Sequence, residues 1–282
     1  MRRIRECLIV IAILVVCSGA SFAQSATGAQ AREQALQRLQ NATGGSVVAS
    51  EHKSTGAFRF IRVRPGTARG LNATPAATAR EKQEQSAAFF RDYGALVGVS
   101  DPMSLRLRSS ATDRLGETHL TWEQFYGAVP VFAGMIKTHF DRSNRLKAVT
   151  GTSIPDIALD PTPSFTSAQA GQAARGAVVA ERGESDALRI GRTTLYVYRE
   201  GLAQGVPGPN HLAWEVEVTD GAGIRDMVYI GAHSGKVIDK VSAVHDDLYR
   251  RAYDGHNLAF VPANYPNGAY WFEGQSFPTA ST

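Results

Sequence analysis

The sequence predicts an α+β fold in two lobes, each a helix packed on an antiparallel sheet, followed by an extended C-terminal segment. Two observations carry this. A helical pattern followed by a run of alternating apolar strands occurs twice, and the two runs are separated by the proline-rich stretch Pro155–Phe165. Both lobes fit comfortably in 282 residues, 43% of them hydrophobic and 20% charged, which is ordinary for globular domains. The net charge of +4 is mild, and the basic residues are scattered, so nothing points to nucleic acid.

The N-terminus reads as a secretion signal over residues 1–23. Arg2, Arg3 and Arg5 form a basic start, Cys7–Val16 is an apolar run too short for a comfortable span, and small residues precede an expected cut between Ala23 and Gln24. No membrane span is expected after cleavage, and the expected location is secreted or periplasmic. Both cysteines, Cys7 and Cys17, lie in this signal. The expected mature chain therefore has no disulfide, thiol nucleophile or thiolate metal ligand.

The first lobe is expected over 24–154. Ser25–Gly45 reads as a helix with Ala31, Ala35, Leu36 and Leu39 on one face and Gly44-Gly45 at its end. Ala57–Arg64 alternates and reads as a strand; Pro65–Ala79 is turn-rich. Ala79–Val99 reads as an amphipathic helix. Ala87, Phe90, Tyr93 or Gly94, and Val97 are expected inside, and Glu81, Lys82 and Glu84 outside, with Gly98 as terminator. Strands follow at Ser104–Ser110, Thr118–Tyr126, Val129–Asp141 and Arg145–Ile154, with Gly127 and Asp141–Asn144 as turns. Residues 155–165 are expected to be a linker.

The second lobe is expected over 166–248. Thr166 or Ser167 caps a helix through Glu181. Thr193–Glu200, Asn210–Asp220, Ile224–His233 and Gly235–Val244 read as strands with glycine-rich turns. Residues 249–282 lose periodicity and gather prolines, glycines and aromatics, as an extended linker does.

Catalytic constellations are not found. The histidines are His52, His119, His139, His211, His233, His245 and His256; none is followed by Glu and no two stand four apart, so the helical zinc-hydrolase pattern is missing. His119 and His139 lie on neighbouring expected strands and can approach each other. Gly231–Gly235 is not a nucleophile elbow. Glu215 and Glu217 share a strand face, where paired carboxylates can do acid–base work; their alternation with Trp214, Val216 and Val218 equally describes a solvated sheet face. No catalytic, metal or cofactor site is expected in this chain, and the residues favour a binding or regulatory module over an enzyme.

The stretch Thr121–Gly151 resembles the pro-region module shared by the thermolysin and fungalysin families of secreted zinc metalloproteases. Trp122, Gln124, Tyr126, Gly127, Val129, Pro130, Val131 and Phe132 follow that module's order with Ala128 as one inserted residue, and Gly151 closes the next strand. The second lobe is similar to the PepSY module of the same pro-regions, through Trp214, Glu215, Tyr229 and Gly235. In such precursors a linker carrying a Tyr-Asp-Gly run leads to the catalytic domain; here that run is Tyr253, Asp254 and Gly255, with Gly274 at the far end.

The resemblance implies a cystatin-like/PepSY-type fold and an intramolecular chaperone and inhibitor of a zinc endopeptidase, ending before the catalytic part. The partner would be a thermolysin-like protease domain, in cis or in trans, and any zinc would belong to that domain. The alternatives are a free-standing secreted inhibitor, or an envelope binding module that uses the aromatics Tyr265, Tyr270, Trp271 and Phe272.

Overall fold

The computed structural model describes residues 19–64, 70–71, 74–183, 185–243, 251–252 and 271–272. The elements are α1 (Gly19–Thr43), β1 (Val47–Glu51), β2 (Phe58–Val63), α2 (Ala79–Tyr93), β3 (Leu105–Thr112), β4 (Thr118–Tyr126), β5 (Val129–Phe140), β6 (Leu146–Thr152), α3 (Ser167–Arg182), β7 (Arg189–Arg199), β8 (Asn210–Thr219), β9 (Arg225–Gly231), β10 (Val237–Ser242), β11 (Arg251–Ala252) and β12 (Trp271–Phe272). The fold is mixed α+β, dominated by one largely antiparallel ten-stranded sheet. Among the described residues no helix is long and apolar enough to cross a membrane. The backbone is helical across the expected cut at Ala23 and Gln24, since α1 begins at Gly19.

Capping chemistry sets the helix starts. Thr78 and Thr166 each form a capping box, with Glu81 and Gln169 returning the bond. Helix α1 buries Ala35 and Leu39, as its spacing predicts, while Ala31 is exposed. Helix α2 and the turn after it bury Phe90, Gly94 and Val97 as expected, with Phe89 and Ser86 beside them; Ala87 is exposed and Lys82 buried, the reverse of expectation. Lys82 can sit inside because its Nζ donates to Asn144 Oδ1 at 2.8 Å and to Ala77 O at 3.3 Å, which satisfies a charge that burial would otherwise penalise. Ser86 likewise bonds Thr138 Oγ1 at 2.8 Å and donates to Lys82 O. Lys82 and Ser86 thus turn inward to the sheet.

Sheet pairing gives the order β1-β2-β6-β5-β7-β8-β9-β10, with β4 also on β5 and β3 on β4. The helix-then-strands order recurs along the chain, but instead of two separate sheets its strands join one continuous sheet through β5. The middle and C-terminal parts of β5 pair with β4 and β6, while Val131 near its start pairs in parallel with Val197 of β7. Between them β5 bulges: the β4 register jumps from Phe125–Pro130 to Glu123–Met135, and Ala133 within the bulge has φ 57°.

One apolar cluster lies between α1, α2 and the first half of the sheet, around Ile61, Phe90, Leu120, Ile136 and Val149. A second lies under α3, around Val178, Val216, Val228 and Ile230. A third sits at the joint and includes Val129, Val131, Ile154, Val197 and Leu212. The helices occupy one face of each half, and the opposite face of the sheet carries no helix among the described residues.

Candidate functional site

The first motif is the joint itself. Trp122 packs edge-on against Phe90 at 5.5 Å and donates from Nε1 to Thr138 Oγ1 at 3.2 Å, tying β4 to β5 and α2. Gln124 is 4% exposed and spends its whole amide on one residue. Its Nε2 donates to Ile154 O and its Oε1 accepts from Ile154 N–H, both at 2.8 Å. This pair of bonds fills the gap that the β5 bulge opens in the ladder. Tyr126 donates its hydroxyl to Leu159 O at 3.1 Å, so the expected linker is held against the sheet there. Gly127 starts the two-residue turn into Val129 with φ 59°. Pro130, which has no N–H to give, pairs with Phe125 beside the bulge, and Val129 and Val131 fill the joint cluster.

Phe132 points to the opposite face and meets Tyr196, Tyr198 and Tyr229 at 5.8, 5.3 and 5.3 Å. Gly151 pairs with Ile136, at φ 134°, where a side chain would meet backbone.

The second motif has the same character. Trp214 donates from Nε1 to Phe165 O at 2.8 Å. Gly235 lies under the Phe165 ring, close enough that an added Cβ would stand 2.5 Å from it, and its φ is 67°. Trp214 and Gly235 thus fix the far end of segment 155–165. Glu215 and Glu217 do not act as a pair. Glu215 is 6% exposed and accepts from the Tyr229 hydroxyl at 2.9 Å, which corrects the solvated-face reading for that residue; Glu217 pairs with Arg225 at 2.6 Å. Tyr229 stacks on Tyr198 at 4.2 Å, and Tyr198 donates to Asp239. Burial, followed by the neighbouring carboxylates, pushes both phenols well above their ordinary pKa, so they remain donors. The expected linker residues Tyr253, Asp254, Gly255 and Gly274 lie outside the described residues; Arg251–Ala252 pairs with Trp271–Phe272 across them.

The approach of His119 and His139 is real. They are directly opposite on β4 and β5, with Nδ1 atoms 2.8 Å apart. His119 Nε2 lies 3.1 Å from Asp113 Oδ2, and His139 Nε2 lies 2.8 Å from Thr150 Oγ1. Asp113, Glu117 and His119 bring potential metal-ligating atoms within 4.8 Å of one another, but Glu117 is already paired with Lys147 and Asp113 with His119.

Burial first, then the charges of His119, Lys147 and Lys137, lower the His139 pKa from 6.5 to about 4; only Glu117 opposes them. The unfolded chain therefore takes a proton that the folded chain resists. Above pH 6.5 neither state holds it; from pH 6.5 down to about 4 stability is progressively lost, and below that the loss is complete. The expected loss from this group is on the order of 3 kcal/mol. Urea midpoints across this window should fall further for the wild type than for His139→Asn; equal falls would remove His139 as the cause.

Residues 104–153, from the entry of β3 to the end of β6, match the family model of the Fungalysin/Thermolysin Propeptide Motif. The chain carries this propeptide motif. Each first-motif residue named from the sequence, Trp122 to Phe132 and Gly151, falls within the matched span. Among solved structures the chain is similar to the Bacillus megaterium YpeB C-terminal domain, at 11% identity and a TM-score of 0.31, over 77% of this chain and 97% of that one. A comparison with curated proteins finds no match. Sequence reasoning placed the propeptide-motif residues on the right strands and missed what they do together, because the Gln124–Ile154 bonds and the Val131–Val197 pair join positions far apart in sequence.

Proposed function

We propose that this chain is the propeptide portion of a secreted zinc metalloendopeptidase precursor, acting as a folding assistant and inhibitor of a thermolysin-like protease domain. The observation that carries this is the propeptide motif at residues 104–153. Its geometry supports the reading. The motif side chains stiffen the joint of a sheet whose second face carries no helix among the described residues, and a preformed sheet surface is what a folding partner needs. In this reading residues 1–23 direct export, the second half is a PepSY-type module, the zinc and catalytic groups belong to the partner, and this chain cuts nothing. Tethering would place inhibitor and enzyme together at an effective concentration on the order of millimolar, so modest contacts suffice until the connection is cut.

The test uses the chain as a separate protein. A thermolysin-like protease domain is refolded from denaturant with and without it, and the native enzyme is titrated with it. The expected results are a higher yield of active enzyme and saturable inhibition. A chain that neither raises the yield nor inhibits at micromolar concentrations overturns the proposal in favour of a binding module without a protease partner. Inhibition without any refolding gain favours the free-standing inhibitor.

A further inference from the structure

On the face of the first half opposite its helices lies a cleft of about 470 Å3. Its walls come from Phe60 and Arg62 on β2, His139 on β5, and Lys147, Ala148 and Thr150 on β6. We infer that this cleft binds a carboxylate side chain presented by an acidic segment of the partner, with Arg62 as the recognising group. The inference deepens the propeptide reading and, as regards the identity of the partner, rests on it.

Charge accounting within the cleft supports this. Of the two acids that reach it, Glu117 is ion-paired with Lys147, and Asp141 Oδ1 is turned into its own loop, accepting from the Arg145 N–H at 3.0 Å. Arg62 is exposed, with its guanidinium carbon 5.7 Å from the centre of the Phe60 ring, and it makes no ion pair among the described residues. Lys137, across the ladder from Thr150, adds an exposed cation on the same face. The inner wall is electrically quiet, because His139 is tied between His119 and Thr150 and has no hydrogen-bonding nitrogen to spare. A carboxylate entering the cleft thus meets the unpaired charge of Arg62 with Lys137 beside it, against one acid, Asp141, that is held by a turn amide but has no ion pair among the described residues.

The chemistry selects a carboxylate carried on a short apolar stem. A guanidinium offers two parallel N–H donors that match a carboxylate's two oxygens, a geometry that an ammonium cannot reproduce. The ring of Phe60 holds that guanidinium by a cation–π contact and offers apolar surface to the methylenes of a Glu or Asp side chain. Ala148, the cross-strand partner of Arg62, is small and leaves room beside it.

The experiment titrates the whole isotopically labelled chain with a short Glu-rich peptide, with its Gln counterpart as control. Saturable NMR shifts at Phe60, Arg62, His139 and Thr150 are expected with the Glu peptide alone, and they should weaken as salt rises. Arg62→Glu should weaken binding about tenfold or more, and Arg62→Lys should restore part of it. Arg62 is exposed, so a thermal melt should confirm that both variants fold. Equal shifts with the Gln peptide, no shifts at all, or unchanged binding by Arg62→Glu would overturn the inference. The same variants are then tested as inhibitors of a thermolysin-like domain. If the wild type fails to inhibit, the propeptide reading falls while the peptide titration still decides the cleft. If the wild type inhibits and Arg62→Glu inhibits equally well, the cleft is not where that partner docks.

Discussion

A chain carrying Gly151→Ala is expected not to accumulate as folded protein, or to lose more than ~4 kcal/mol of stability. Two independent penalties meet at this position. The backbone has φ 134°, outside the range of L side chains. An added Cβ would stand 2.1 Å from Met135 O and 2.8 Å from Ile136 Cα, both backbone atoms in the ladder between β5 and β6. Neither can give way without breaking the pairing that holds the C-terminal part of β5. Urea denaturation, or the soluble fraction where the variant does not fold, measures the effect. A wild-type midpoint would show that the backbone there is free to change.

Gln124→Leu should lose about 2–5 kcal/mol, with the volume nearly conserved. The cost lies in the partner. Ile154 is 1% exposed, and its N–H and C=O both bond to the Gln124 amide at 2.8 Å. Removing the amide leaves two buried backbone groups without partners, each costing roughly 1–3 kcal/mol. Gln124→Glu keeps an acceptor for the N–H but loses the donor for the carbonyl and buries a carboxylate against it, so it should lose at least as much as Leu. Hydrogen exchange at the Ile154 amide should accelerate in the Leu variant before global unfolding. A Leu variant within ~0.5 kcal/mol of wild type would mean that water or a backbone shift replaces the amide.

Much of this was legible locally. The strand Thr118–Tyr126 has the boundaries its alternation predicts, Thr166 caps its helix, and Asp141–Asn144 makes its turn, with Asn144 at φ 59°. These features depend on neighbouring residues, and so does the facing of His119 and His139 once a hairpin is assumed. What was missed depends on distant ones. Lys82 carries a charge that any local rule sends to water, and only the Asn144 side chain and the Ala77 carbonyl explain its burial. Glu215 reads as solvated until Tyr229 arrives from the next strand. Strand β1 was overlooked because Val47–Glu51 is short and carries only two strongly apolar residues.

The sharing of β5 has a consequence for disposal. A molecule made of two separate halves could be removed piecemeal, one half at a time, each cut leaving the other intact. Here a cut between Ala133 and Met135 would part the start of β5, which pairs with Phe125 of β4 and Val197 of β7, from the remainder, which pairs with β6. Cuts in the exposed Asp113–Glu117 loop would leave the shared strand whole, and with it the open face. If the proposed inhibitory role holds, nicking at that loop would leave it in place, and only severing the middle strand would end it.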